Sequence, residues 1–120
     1  MPQPTTLDVS VIVPAYKAQE TIGAALRSAL SQELAPREVI CVDDGSPDAT
    51  ADLVAREFPG VRLVRQENAG PSAARNRAAA LAQGEWLAFL DADDVWLPQK
   101  LRLQAAALAA EPGIGMCSTS

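Results

Sequence analysis

The sequence predicts an α/β domain built on a mostly parallel sheet with helices on both faces. Two observations lead there. Short apolar runs of strand length alternate with segments of helical period, and the residues capable of chemistry gather directly after the runs.

Val9 to Val13 is the first run, a β-rich stretch broken by Pro14. Ile22, Ala25, Leu26, Ala29 and Leu30 then recur at helical spacing and form one apolar stripe. Val39 to Val42 is the second strand, and it runs straight into Asp43-Asp44-Gly45-Ser46. Ser46-Pro47-Asp48 reads as a helix start: a hydroxyl cap, a proline at the first helical position and an acid at the positive end of the dipole. Ala51, Val54, Ala55 and Phe58 give that helix its apolar face before Pro59-Gly60 stops it. Val61 to Val64 is the third strand. Gly70-Pro71-Ser72 opens an alanine-rich helix, which Gly84 is expected to close as a C′ glycine. Trp86 to Leu90 is the fourth strand and ends in Asp91-Ala92-Asp93-Asp94. Pro98 opens a last helix to about Ala110, and Ile114 starts a fifth strand. Strands that alternate with helices imply parallel crossover connections. Continuous apolar runs, rather than alternating ones, suit strands covered on both faces.

One domain over residues 1–120 is what this length supports. With 48% hydrophobic and 21% charged residues, the chain has enough apolar surface to bury a core and is not a disordered segment. No apolar run reaches the roughly 20 residues that span a bilayer. Met1 to Asp8 lacks the cationic and apolar regions of a signal peptide. A cytoplasmic location is expected, with peripheral attachment to a membrane open for a longer protein. The net charge of -5 argues against a nonspecific nucleic-acid binder. It is compatible with a small phosphorylated ligand whose charge a divalent cation offsets. Histidine is absent, which excludes Ser-His-Asp hydrolysis, Cys-His proteolysis and histidine-ligated zinc. Cys41 and Cys117 lack metal-ligand spacing, and Cys41 reads as a small buried hydrophobe. Any chemistry here runs on carboxylates, arginines and main-chain amides.

Tyr16, Asp43, Asp44, Asp91, Asp93 and Asp94 all follow carboxyl ends of strands. In open α/β sheets ligands bind at that edge. Asp91, Asp93 and Asp94 repel one another unless a cation neutralises them. Mg²⁺ and Mn²⁺ prefer oxygen ligands and commonly take one or two carboxylates plus a substrate's phosphates. A solvated acidic turn would produce the same tetrapeptide; its place on the same edge as a second acid pair favours the cation. In that second pair, an Asp can accept hydrogen bonds from a ligand N–H, and Gly45 lets a ligand approach the backbone. A turn that only caps the next helix is the plainer alternative. Asn68 to Asn76 supplies a helix N-terminus suited to anions, with Arg75 one turn inside. Neither a G-x-G-x-x-G fingerprint nor a G-x-x-x-x-G-K-[ST] phosphate loop occurs.

Taken together, VSVIVPAY, ICVDDGSPD, NAGPSAARNRA and LDADD resemble, in order and spacing, the family 2 inverting glycosyltransferases of the GT-A fold. The resemblance runs from about Val9 to Leu103. It implies a Rossmann-like nucleotide-binding half that holds a nucleoside diphosphate sugar, with uridine diphosphate favoured, through a divalent metal, Mn²⁺ or Mg²⁺. By resemblance Pro14, Ala15 and Tyr16 lie along the nucleobase and Asp44 meets its edge, while Asp43 sits where the family varies. Asp91 faces the ribose, with Glu20 on the ribose side; Asp93 binds the metal; Arg75 stands near the base or the phosphates. The acceptor is expected to be a glycan, a lipid or another hydroxyl compound. The general base of inversion is expected downstream of Ser120, so the piece should bind donor without transferring sugar. The last acid, Glu111, falls at the far end of the last predicted helix. Two other readings stay open: a nucleotide-binding module without catalysis, and a Mg²⁺-dependent phosphoacceptor receiver domain. The receiver would require its acid pair after the first strand and a lysine after a later one, whereas the lysine after Asp94 is Lys100, at a helix start.

Overall fold

The computed structural model describes residues 6–110 and 117–118. The elements are β1 (Thr6–Ala15), α1 (Ile22–Leu30), β2 (Ala35–Asp43), α2 (Thr50–Glu57), β3 (Arg62–Arg65), α3 (Pro71–Leu81), β4 (Trp86–Phe89), α4 (Lys100–Ala110) and β5 (Cys117–Ser118). The sheet order is β3-β2-β1-β4-β5. The first four strands are mutually parallel, and β5 pairs antiparallel with β4. Ile114 and Glu111 lie outside the described residues.

This order rules out the receiver alternative. Receiver domains of the flavodoxin-like class place the strands 2-1-3-4-5, whereas here β1 lies between β2 and β4. The chain first winds away from β1 through β2 to β3, then crosses back to β4 on its other side. Loops leaving β1 and β4 therefore part in opposite directions, and a crevice opens between them.

Side-chain alternation explains the continuous apolar runs. Val9, Val11 and Val13 of β1 and Val39 and Cys41 of β2 face one core with Ile22 and Leu26 of α1, Val54 of α2 and Leu101 of α4. Ile12, Ile40 and Val42 face the other core, against Leu87 and the α3 alanines Ala74 and Ala78. Both faces are covered, so every residue of the β1 and β2 runs, Val9 to Val13 and Val39 to Val42, is buried. Each fully buried Val, Ile or Leu contributes about 1.5–3 kcal/mol. The Cys41 thiol is buried, and burial, followed by the Asp43 charge, pushes it up to about 12. It packs as an inert hydrophobe.

Three helix boundaries differ from expectation. α2 begins at Thr50, not at Ser46-Pro47. The Ser46 hydroxyl accepts a hydrogen bond from the Lys17 amide instead of capping a helix. The turn before α2 is closed by Asp48, whose Oδ1 accepts from the Thr50 amide and hydroxyl. Thr50 in turn accepts from the Ala18 amide, which ties α2 to the loop after β1. The same hydroxyl bond holds the Asp48 carboxyl below its usual range; burial opposes it less strongly, and the Thr50 amide adds a further lowering. Gly84 is not a left-handed cap, because α3 stops at Leu81 and Ala82 is extended. Gly84 is required by close packing: a Cβ there would lie 2.7 Å from the Ser10 amide nitrogen. α4 begins at Lys100, and Pro98 lies in the turn before it, its carbonyl accepting from the Glu33 amide. No described helix is long and apolar enough to cross a membrane.

Candidate functional site

A cleft of about 670 Å³ opens at the carboxyl edge where β1 and β4 diverge. The end of β1 contributes Pro14 and Ala15, followed by Tyr16 and Lys17. Asp44 enters from the end of β2, and Asp91, Ala92 and Asp93 from the end of β4. The opposite wall is Asn68, Gly70, Pro71, Ala74 and Arg75, the entry and first turn of α3. The cleft thus gathers Pro14, Ala15, Tyr16, Asp44, Arg75, Asp91 and Asp93 from four separate segments.

Asp43 and Glu20 are not among its lining residues. Glu20 is exposed in the turn ahead of α1. Asp43 follows Val39 and Cys41 in the strand alternation, so its side chain falls on the α1–α2 side of the sheet. It is only 4% exposed. Its Oδ2 accepts a long 3.4 Å bond from the Ser46 amide, and Oδ1 has no hydrogen-bond partner among the described residues.

Asp44 is also 4% exposed, but its carboxylate is fully engaged. Oδ1 accepts from Gln66 Nε2 at 2.8 Å and from the Ala69 amide at 2.9 Å. Oδ2 accepts from the Gly70 amide at 3.0 Å and from Asn68 Nδ2 at 3.3 Å. A carboxylate offers about four acceptor sites, so these donors fill it. Burial pushes its pKa up, yet the bonds from Gln66, Ala69 and Gly70 together outweigh that and hold it below the ordinary range. Gly45, with φ of 72°, serves this same corner. A Cβ on Gly45 would sit 2.7 Å from the Asn68 backbone nitrogen, so the close approach made there is by the 66–70 segment.

Asp91 and Asp93 are the opposite case. Both are exposed, and no hydrogen bond or ion pair among the described residues engages either carboxylate. The main chain holds their loop through the Asp94 amide, which donates to the Asp91 carbonyl. No three acidic, histidine or cysteine side chains among the described residues form a ready-made metal cage. One or two carboxylates open to a cleft suit Mg²⁺ or Mn²⁺ that takes its other ligands from phosphates and water. The donor set fits such an ion.

Across the cleft, α3 is preceded by Gly70, with φ of 97°, carries Pro71 in its first turn and has no side-chain cap. Its first amides and dipole are available to an anion. Arg75 is half-buried and has no ion-pair partner among the described residues. Tyr16 is 46% exposed, and the Lys17 ammonium stands 5.4 Å from its ring centroid. Lys17 is a cleft residue that sequence reasoning passed over. Its φ of 51° is unusual for a side chain of this kind, and its amide donates to Ser46 Oγ at 3.0 Å. Its place directly after Tyr16 was the available signal. Asn68 stood inside the segment singled out for Arg75, without a role of its own.

The sequence profile described as "Glycosyl transferase family 2" matches residues 10–119. The succinoglycan biosynthesis protein ExoO of Rhizobium meliloti (strain 1021) is 47% identical over 97 residues, which cover 79% of this chain and 28% of that protein. Among solved structures, S. aureus TarS 1-349 in complex with UDP superposes with a TM-score of 0.77 at 32% identity, covering 85% of this chain and 32% of that one. The mannosyltransferase PcManGT of Pyrobaculum calidifontis, in complex with GDP-Man and Mn²⁺, superposes with a TM-score of 0.73 at 33% identity, over 85% of this chain and 32% of that one. The chain therefore spans less than a third of the length of each of these three proteins.

Proposed function

The chain belongs to glycosyl transferase family 2, and from that premise we propose that it is the donor-binding part of a metal-dependent, inverting glycosyltransferase. The observation that carries this reading is the pair of unengaged carboxylates, Asp91 and Asp93, in one cleft with an uncapped helix N-terminus and Arg75. Acids and anion-binding groups in one cleft suit a ligand that is itself anionic and arrives with a cation. A nucleoside diphosphate sugar is such a ligand. The complexes of similar structures with UDP and with GDP-Man and Mn²⁺ support the ligand class.

In this reading Pro14, Ala15 and Tyr16 form the face against which the nucleobase lies, and Asp91 accepts from the ribose. Asp93 holds Mn²⁺ or Mg²⁺, which when bound stabilises the negative charge of the departing diphosphate. Arg75 and the first amides of α3 add fixed positive potential on the same side. Asp44 meets the base edge where a base N–H replaces the 3.3 Å donation from Asn68, the longest of its bonds. Glu20 and Asp43 bear on the ligand only indirectly, Glu20 from the ribose side and Asp43 from beneath the Asp44 turn. Uridine diphosphate is the favoured carrier.

Inversion requires the acceptor oxygen to bond to the anomeric carbon as the carbon–phosphate oxygen bond breaks from the other side. The acceptor's proton must go to a base within hydrogen-bond reach. The acids of the cleft are assigned to the donor, so we place that base outside these 120 residues, together with the site for a glycan, lipid or other hydroxyl acceptor. Calorimetry tests the reading directly: uridine diphosphate should bind markedly more tightly with Mn²⁺ than with a chelator. Equal affinity in the two conditions overturns the metal assignment.

A further inference from the structure

The acidic loop is anchored at both ends, and its far anchor lies outside the cleft. Upstream, the Leu90 amide donates to the Ile12 carbonyl, tying the end of β4 to β1. Asp91, Ala92 and Asp93 then line the cleft, and among the described residues the 91–95 segment makes only local hydrogen bonds, Asp94 amide to Asp91 carbonyl and Val95 amide to Asp94 Oδ1. Downstream, the chain is caught by the C-terminal end of α1. Ser28 Oγ accepts from the Trp96 amide at 3.1 Å while donating to the Ala25 carbonyl. Gln32 is 6% exposed and uses both ends of its amide. Nε2 donates to the Leu97 carbonyl at 2.7 Å and to the Ser28 carbonyl at 3.0 Å; Oε1 accepts from the Leu101 amide at 2.9 Å. That last bond satisfies one of the unpaired amides of the first turn of α4 from 69 residues away.

We infer that Gln32, assisted by Ser28, is a positioning residue for Asp91 and Asp93. It touches neither carboxylate and does not line the cleft. Its effect passes through the main chain of Trp96 to Leu101, which fixes where the five-residue loop comes down. A planar amide suits the task because the loop's carbonyl and the helix's amide need a donor and an acceptor on one rigid group. An apolar side chain of the same size would fill the space but leave the buried Leu101 amide and the part-buried Leu97 carbonyl without these bonds. The inference rests on the metal reading proposed above.

The experiment compares the full chain with Gln32→Met and Ser28→Ala, measuring uridine diphosphate affinity with Mn²⁺ and with a chelator. Supporting groups outside the ligand sphere typically change metal affinity 10–100-fold. Gln32→Met should therefore cut the Mn²⁺ enhancement about tenfold, while affinity in chelator stays within about twofold. Ser28→Ala, which removes a single acceptor, should do the same to a lesser extent and covers the case in which Gln32→Met does not fold. A purely structural role would lower both affinities together, and retention of the full Mn²⁺ enhancement by a folded variant overturns the inference. Should the unaltered chain show no Mn²⁺ enhancement, the metal reading fails by itself. Amide exchange at Asp94, which neither residue touches, then decides the inference: faster exchange in the variants supports it, and unchanged exchange overturns it.

Discussion

Two acidic corners meet at the carboxyl edge of one sheet, and they are built in opposite ways. After β2, the Asp44 carboxylate is buried and receives donors from Gln66, Asn68, Ala69 and Gly70. After β4, Asp91 and Asp93 stand exposed, and no carboxylate oxygen of either is engaged among the described residues. The first corner uses its charge to shape the protein, because its bonds bring the 66–70 segment and the start of α3 to the cleft wall. The second leaves its charge uncompensated, which is unfavourable in the free chain and, in the reading proposed above, is relieved by a cation. Burial and hydrogen-bond satisfaction, more than the presence of aspartates, separate a carboxylate that builds the cleft from one left open to it.

The comparison can be broken most directly at Asp44. Asp44→Ala removes a charged acceptor from four donors, and hydrogen bonds to charged groups are worth about 1.5–3 kcal/mol. A loss of about 3 kcal/mol in unfolding free energy is expected by urea denaturation, with a roughly tenfold loss of uridine diphosphate affinity in chelator. Unchanged stability would show that the bonds around Asp44 are incidental.

Asp93→Asn should behave in the opposite manner. Stability should hold or rise slightly, since a repelling charge is removed, while the Mn²⁺ enhancement of nucleotide binding disappears. The expected loss is at least the ~100-fold that an altered supporting group can cause at a metal site. Calorimetry with and without Mn²⁺ checks it, and a retained enhancement moves the metal to another carboxylate.

Gly45→Ala sharpens the comparison without touching an acid. The added methyl meets the Asn68 backbone at 2.7 Å in a left-handed conformation. Forced packing of this kind costs about 1–3 kcal/mol. Thermal denaturation should register that loss, and Asp44-dependent binding should weaken with it, whereas the ratio of affinities with and without Mn²⁺ should stay the same.

The smallest effect is in the acid limb of the stability profile. The folded pKa of Asp44 lies below its ordinary value of 3.8. Its contribution is therefore complete above that value and fades as pH falls through the folded pKa. Urea midpoints should decline on that limb, and Asp44→Asn should flatten the decline.

The cleft's membership was legible because strand ends are local features. Tyr16, Asp44, Asp91 and Asp93 follow apolar runs, and a parallel sheet puts all such ends on one edge. Glu20 and Asp43 are near this edge in sequence but do not line the cleft, because side-chain direction depends on strand parity and on the path of a turn. Ser46 shows the same limit. A Ser-Pro-Asp sequence suits a helix start, but the Lys17 amide claims the Ser46 hydroxyl across 29 residues, and α2 begins later at Thr50.

By itself, the sequence determined the α/β class, the alternation of elements and the edge at which chemistry gathers. Apolar periodicity and residue order act within a few residues of one another, and local patterns record them. Tertiary structure alone decided which carboxylate is filled and which is free. The donors to Asp44 come from 22 to 26 residues away, and the Gln32 amide reaches 65 and 69 residues along the chain. It also decided that Gly45 and Gly84 are glycines because another strand or loop passes within van der Waals distance. Such contacts depend on how the elements pack, and no stretch of sequence contains both partners.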